Sequence, residues 1–200
     1  MANTDTPRGL KPVRYLSGAP YNGAANIYYV PASDSTAIYI GGLVKPGGTA
    51  DADGVMSVTG NVATGNAVVG VVVGVDPALG AGANGRDSTI YRVASTARYV
   101  YVVDDPNVVF EVQEDAVGGA LAVTAVGNTA DLTGFTSGDT STGYSAIEVD
   151  TSTATASGDG TEDVLIVGFA RRPDNEVGSA NAKVLVRLNN HFFVDGVAGA

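Results

Sequence analysis

Apolar residues in this chain fall into short runs, broken by glycine, proline, aspartate and asparagine, and the runs read as strands. The clearest pair is RYVYVV at residues 98–103 and VVFEVQ at 108–113. β-Branched and aromatic residues suit a pleated, half-buried surface. Between them stands Asp104-Asp105-Pro106-Asn107. Pro106, with φ held near about −65°, fits the second position of a type I turn. The segment 89–115 therefore predicts a β-hairpin.

The rest of the chain follows the same grammar. Residues 37–44 (AIYIGGLV) predict a strand bent at Gly41-Gly42, 46–54 a turn region, and 55–59 a short strand. Residues 67–75 (AVVGVVVGV) lack alternation, which predicts a strand covered on both sides. Gly70 and Gly74 would share one face of it and admit a neighbouring strand or a bulky side chain. Residues 76–87 predict a flexible loop, 121–126 a short β-like run, and 164–170 and 183–194 two more strands. Residues 127–163 are rich in Thr, Ser, Gly and Asp and read as a loop-rich insertion, with a strand at 144–149 whose Ser145, Ile147 and Val149 share a face. The Gly- and Ala-rich C-terminus is expected to fray. No amphipathic helix of three turns is discernible, and there is no internal repeat. The fold class is all-β: an antiparallel β-sandwich or small β-barrel.

Residues 1–36 stand apart from this single β-rich domain, 37–200. Pro7, Pro12, Pro20 and Pro31 alternate with Gly9, Gly18 and Gly23, a pattern that blocks helix and favours extended backbone. Tyr15, Leu16, Tyr21, Ile27, Tyr28, Tyr29 and Val30 are costly to leave in water. The segment is expected to be an extended arm lying on its own body or on another chain, removable as 1–30 without unfolding the body.

Composition narrows function. The 200 residues contain 44% hydrophobic residues, no Cys and one His, and carry a formal net charge of −10. Such acidity opposes nucleic-acid binding. Without cysteine there are no disulfides or thiolate metal sites. No apolar run approaches the ~18 residues needed to cross a bilayer, and the N-terminus has no signal-peptide core, so a membrane role is not expected. Residues 1–14 carry Arg8, Lys11 and Arg14 against Asp5, a net of +2, leaving −12 on the other 186.

Candidate chemistry is thin. Asp51-Ala52-Asp53-Gly54 begins like a calcium loop but lacks the later ligands and reads as a turn. Asp104, Asp105, Glu111, Glu114 and Asp115 are paired carboxylates of the kind glycosidases use, yet they read better as a solvated hairpin edge, or as a surface meeting a basic neighbour. His191 is the single histidine, no serine has a nucleophile-elbow context, and hydrogen bonding or an interface is its expected role. Gly80, Gly82 and Gly85 have no phosphate-loop lysine after them. Arg171-Arg172-Pro173-Asp174-Asn175 forms a polar turn, its arginines suited to fork-like pairing with carboxylates of another subunit. No catalytic, cofactor or metal residues are assigned, and the chain is not expected to be an enzyme.

The opening NTDTPRGLKPVRYLSGAPYNGAANIYYVPASDSTAIYIGG, the central YRVASTARYVYVVDDPNVVFEVQED and the closing RRPDNEVGSANAKVLVRLNNH resemble a family of tailed-bacteriophage virion structural proteins. The resemblance implies a capsid decoration, or cement, protein: a β-rich homotrimer, made in the host cytoplasm, on the outer surface of the head. Its partners would be the major capsid protein and copies of itself. The capsid or protomer interface expected from the chain is Arg8, Lys11, Arg14, Tyr15, Tyr21, Tyr28, Tyr29, Arg171 and Arg172. The alternatives are a neck, tail or head-fibre component, or a carbohydrate-binding β-module.

Overall fold

The structure, a computed structural model, describes residues 3–76, 90–154 and 160–194. Its strands are β1 (Lys11–Tyr15), β2 (Asn26–Val30), β3 (Leu43–Ala50), β4 (Met56–Thr59), β5 (Gly70–Val75), β6 (Arg98–Val103), β7 (Val108–Gln113), β8 (Thr129–Ala130), β9 (Leu132–Thr133), β10 (Glu148–Val149), β11 (Val164–Phe169) and β12 (Lys183–Leu188). The only helical element among the described residues is one 3-10 turn, Val123–Ala125. Five strands close a small barrel in the order β2-β4-β3-β5-β6, and five form a sheet in the order β1-β7-β12-β11-β8. The pair β9-β10 stands beside them. The all-β expectation holds, with the barrel realised.

There are two cores. The barrel interior holds Val30, Val44, Val58, Val69, Val72, Val100 and Val102. A larger core lies under the five-stranded sheet, where Phe110, Val112, Ile166, Val184, Val186 and Leu188 meet Leu43, Val71 and Val103 from the barrel wall. Residues 67–75 thus read without alternation because β5 has a core on each side: Val72 faces the barrel and Val71 the larger core.

The two strands of residues 98–113 form as expected, but they are not a hairpin. β6 pairs with β2 and β5, while β7 pairs with β1 and β12. The turn between them is real: Val108 N–H donates to the Asp105 carbonyl (3.1 Å) and Asn107 N–H to Asp105 Oδ1 (2.8 Å). It is a corner where the chain leaves the barrel and enters the sheet. Turn chemistry specifies the reversal, and non-local partners decide the pairing.

Residues 3–36 lie on their own body. β1 is an edge strand of the sheet, antiparallel to β7 with Lys11 opposite Glu111. β2 closes the barrel, pairing antiparallel with β6 from Asn26↔Val102 to Val30↔Arg98 and parallel with β4 at Tyr29↔Ser57. Asn3 is fastened by Nδ2–H bonds to the carbonyls of Glu176 and Ala180, both 3.0 Å.

Other expectations shift. Residues 37–42 make isolated bridges, Ile38↔Arg92 and Ile40↔Tyr144, and the strand proper begins at Leu43 and runs through the expected turn region to Ala50. Gly47 makes this possible: a Cβ there would stand 2.6 Å from Ser57 Oγ, which instead donates to the Thr49 carbonyl (2.8 Å). A bulge between Val72 and Gly74 turns the two β5 glycines to different sides. Gly70 admits the Val103 backbone, whose oxygen would lie 2.1 Å from a Cβ; Gly74 admits the Tyr101 ring at 3.1 Å. Residues 121–126 carry the 3-10 turn instead of a strand. The 127–163 segment supplies β8 to the sheet and buries Leu132, Ser145, Ile147 and Val149, while the strand expected at 144–149 is formed only at Glu148–Val149. Apart from Asp76, the loop at 76–87 lies outside the described residues, as do Gly80, Gly82, Gly85 and the last six residues.

Candidate protein interface

The polar residues that drew notice in the sequence are mostly built into the scaffold. Glu114 is fully buried: its carboxylate accepts N–H groups of Ala116 (2.8 Å) and Ala182 (3.2 Å). Burial pushes its pKa up, against those bonds. Asp104 accepts the Tyr28 hydroxyl at 2.6 Å and Asn26 Nδ2–H at 2.9 Å. Asp115 accepts Thr151 N–H (3.1 Å), and Glu111 pairs with Arg172 at 2.8 Å. Of the five carboxylates in this segment only Asp105 is exposed; the other four serve as acceptors inside the chain, and Arg172 meets the Glu111 carboxylate of its own chain.

The same holds elsewhere. Asp51 Oδ1 accepts the N–H groups of Asp53 (2.9 Å) and Val55 (2.8 Å), the turn expected of Asp-Ala-Asp-Gly. Among the described residues no group of three or more His, Asp or Glu is arranged to hold a metal ion. His191 is buried and its Nδ1 accepts the Phe193 N–H (3.2 Å), a hydrogen-bonding role. Asn175 is buried beneath the arginine turn, donating to the carbonyls of Ala170 (2.8 Å) and Lys183 (2.9 Å) and accepting Lys183 N–H (2.7 Å).

The expected interface residues separate into four groups. Tyr28 is buried in the barrel, its pKa raised by burial and then by the bond to Asp104. Tyr15 and Tyr21 lie against one another, ring centroids 6.2 Å apart, at the edge of the larger core; their hydroxyls donate to Asn22 (3.0 Å) and the Ala24 carbonyl (2.7 Å). Tyr29 stands on the barrel's outer wall against Tyr99, centroids 5.5 Å apart. None of these four is a free arm aromatic. The fourth group is the basic residues, and these converge.

The strand alternation of β12 buries Val184, Val186 and Leu188 and turns Lys183, Leu185 and Arg187 outward. On that outer face two grooves run side by side. One, of about 450 Å³, is lined by Arg8, Lys11, Glu111, Arg172, Asp174 and Lys183. The other, of about 610 Å³, has an apolar floor of Val167, Phe169 and Leu185 with Val123, Val126 and Val177 around it, and Arg14 and Arg171 at its rim. Val123 is 59% exposed, Val126 45% and Val177 41%. Comparisons with family models, curated proteins and solved structures find no match.

Arg8, Lys11, Arg14, Arg171, Arg172, Lys183 and Arg187 make this face home to seven of the chain's eleven Lys and Arg residues, although the whole carries −10. Opposing them there are Glu111 and Asp174, with Asp5 and Glu148 near enough to act on Lys183. An apolar groove rimmed by arginines is the composition of a protein-docking surface: aliphatic area to bury, and planar cations to pair with carboxylates. The sequence had pointed to five of the seven. It missed Lys183 and Arg187, whose i, i+4 spacing in an alternating strand was the available signal, and the apolar floor, which comes from β11 and β12. Among the described residues no helix is long and apolar enough to cross a membrane.

Proposed function

We propose that this chain is a structural, non-enzymatic component of a tailed-bacteriophage virion: a decoration protein that sits on the outer surface of the head, bound to the major capsid protein and to copies of itself. The reading rests on the resemblance of the three segments quoted above. The observation that carries it is the concentration of seven cations on one face, two of them at the rim of an apolar groove, on an otherwise acidic chain. Such a face fits the shell or a neighbouring protomer. Many copies on one particle add avidity to modest single contacts.

The test is binding of purified chain to shells stripped of it, with copy number counted by quantitative mass spectrometry of the virion. Shell symmetry requires on the order of hundreds of copies for decoration. About a dozen copies, as cyclic symmetry at a portal would give, assigns the chain to the neck or tail instead. No binding to shells and absence from virions ends the reading.

A further inference from the structure

A second surface has the opposite character. On the outer wall of the barrel, Ile27 is 50% exposed and stands opposite Tyr101, while Tyr29 stands opposite Tyr99. Carboxylates ring this aromatic patch. Asp51 accepts the Tyr99 hydroxyl, with Asp53 close enough to act on it electrostatically. Asp76 lies 3.5 Å from the Tyr101 hydroxyl, and Asp104 accepts Asn26 at the end of β2. The one cation on β2 and β6 is Arg98, which directly precedes Tyr99 and, by strand alternation, points to the opposite side of β6. The patch shares no residue with the outer face of the five-stranded sheet.

One chain therefore carries an apolar groove rimmed by Arg14 and Arg171 and, elsewhere, an apolar-aromatic wall rimmed by Asp53 and Asp76. Each rim carries a single sign, so a two-fold contact of either surface with itself would set like charge against like charge. Each suits the other on a second copy. We infer that the outer face of the five-stranded sheet takes the Ile27–Tyr29–Tyr99–Tyr101 wall of a neighbouring copy of this chain, head to tail. A heterologous contact of this kind closes into a ring when the rotation permits. The inference rests on the proposed function in naming the occupant of that basic face, and commits it to a second copy over the shell.

The experiment is a charge swap on the full chain. Variant one is Arg14→Glu with Arg171→Glu; variant two is Asp53→Lys with Asp76→Lys. Arg171→Glu and Asp53→Lys, both at exposed positions, form a milder second pair. Circular dichroism and melting confirm that each is folded, and light scattering and sedimentation read association. Each variant alone is expected to associate at least about 10-fold more weakly than wild type, because like charges then face one another. An equimolar mixture is expected to recover association, since the acidified sheet face of one meets the basic barrel wall of the other. Association of wild type should also weaken as salt rises. A wild-type chain that stays monomeric, or a mixture no stronger than its separate members, overturns the inference. If variant one then still loses binding to stripped shells, the basic face belongs to the shell and the decoration reading stands without this contact. If wild type fails to bind shells yet the mixture recovers association, the self-contact stands and decoration falls.

Discussion

Arg92 is the largest fully buried side chain, and it stands in none of the expected sites. Its guanidinium donates to the carbonyls of Thr96 (2.9 Å), Pro31 (2.9 Å), Asp34 (2.8 Å) and Thr36, and lies 3.9 Å from the Asp34 carboxylate. Asp34 in turn accepts N–H groups of Thr36 (2.8 Å) and Gly60 (3.0 Å). The cation thus replaces a strand ladder where residues 31–36 cross 90–96. Replacing a buried ion pair with apolar groups of similar volume is often neutral, but only when both partners go. Here the acceptors are backbone carbonyls, which no side-chain substitution removes. Arg92→Met removes four hydrogen bonds at about 1 kcal/mol each, although the Pro31 and Asp34 carbonyls also accept the N–H groups of Asp34 (3.1 Å) and Ser95 (2.9 Å). Burying the apolar Met returns about 1 kcal/mol. The expected net loss is about 3 kcal/mol, or a Tm lower by about 6–12 °C for a chain of this size. Arg92→Lys keeps the charge but not the fork, and should fall between the two. Urea unfolding followed by tyrosine fluorescence, alongside calorimetry, measures both. A loss below about 1 kcal/mol for Arg92→Met would refute the argument that the carbonyls depend on this side chain.

Other expectations follow from the same packing. Gly70→Ala puts a Cβ 2.1 Å from the Val103 carbonyl oxygen, so β5 must move off β6; a loss of about 3 kcal/mol in urea unfolding is expected, and an unchanged midpoint would mean that the strands are further apart than described. Asn175→Ala removes three buried bonds that hold β11 to β12 and should cost about 2–3 kcal/mol, read as an earlier melting transition. Deleting residues 1–30 removes β1 and β2, opens the barrel and should abolish the cooperative transition altogether, contrary to an arm that can be dispensed with. Glu114, Glu148 and Asp163 all have pKa values raised, burial being the largest cause in each. The folded chain then binds more protons than the unfolded one between ordinary carboxylate values near about 4 and the raised ones. Their contribution to stability is present below that window and is lost as pH rises through it. Asp51 and Asp139, held low by the bonds they accept, act in the opposite sense at lower pH. Scans should therefore show Tm falling as pH rises above the ordinary carboxylate range near about 4; a rising Tm there would sink the assignment.

The strands were readable where pattern is local. RYVYVV, VVFEVQ and VLIVGF became β6, β7 and β11 because β-branched runs bounded by turn residues have few other fates. Pairing was not readable. Asp105-Pro106-Asn107 makes the same reversal whether its flanks meet one another or part at a corner, and the partners that separate them lie far off in sequence, Asn26 for Val102 and Lys183 for Gln113. Burial of single polar groups was also hidden. Glu114 and Arg92 look like ordinary surface charges until the chain brings backbone groups around them, and nothing in their immediate neighbours announces it. The basic face fell between: its arginines were visible in the sequence, but their convergence needed β1 placed beside β7 and β12.

That placement changes what an interface in this chain must be. An unanchored arm would fold on its partner and give up ordering entropy at that moment. Here β1 is already paired to β7, β2 already closes the barrel, and Asn3 is already tied to the 176–180 turn. Arg14 and Lys11 are thus presented from an edge strand whose backbone is fixed, beside the β12 residues Lys183 and Leu185. The surface is ordered before any partner arrives, so less of the contact energy goes to ordering. Strength then depends on how well a second surface matches a fixed pattern of apolar floor and basic rim. A partner that matches the floor but carries cations at its edge is repelled, which makes the rim a device for choosing the partner as much as for holding it.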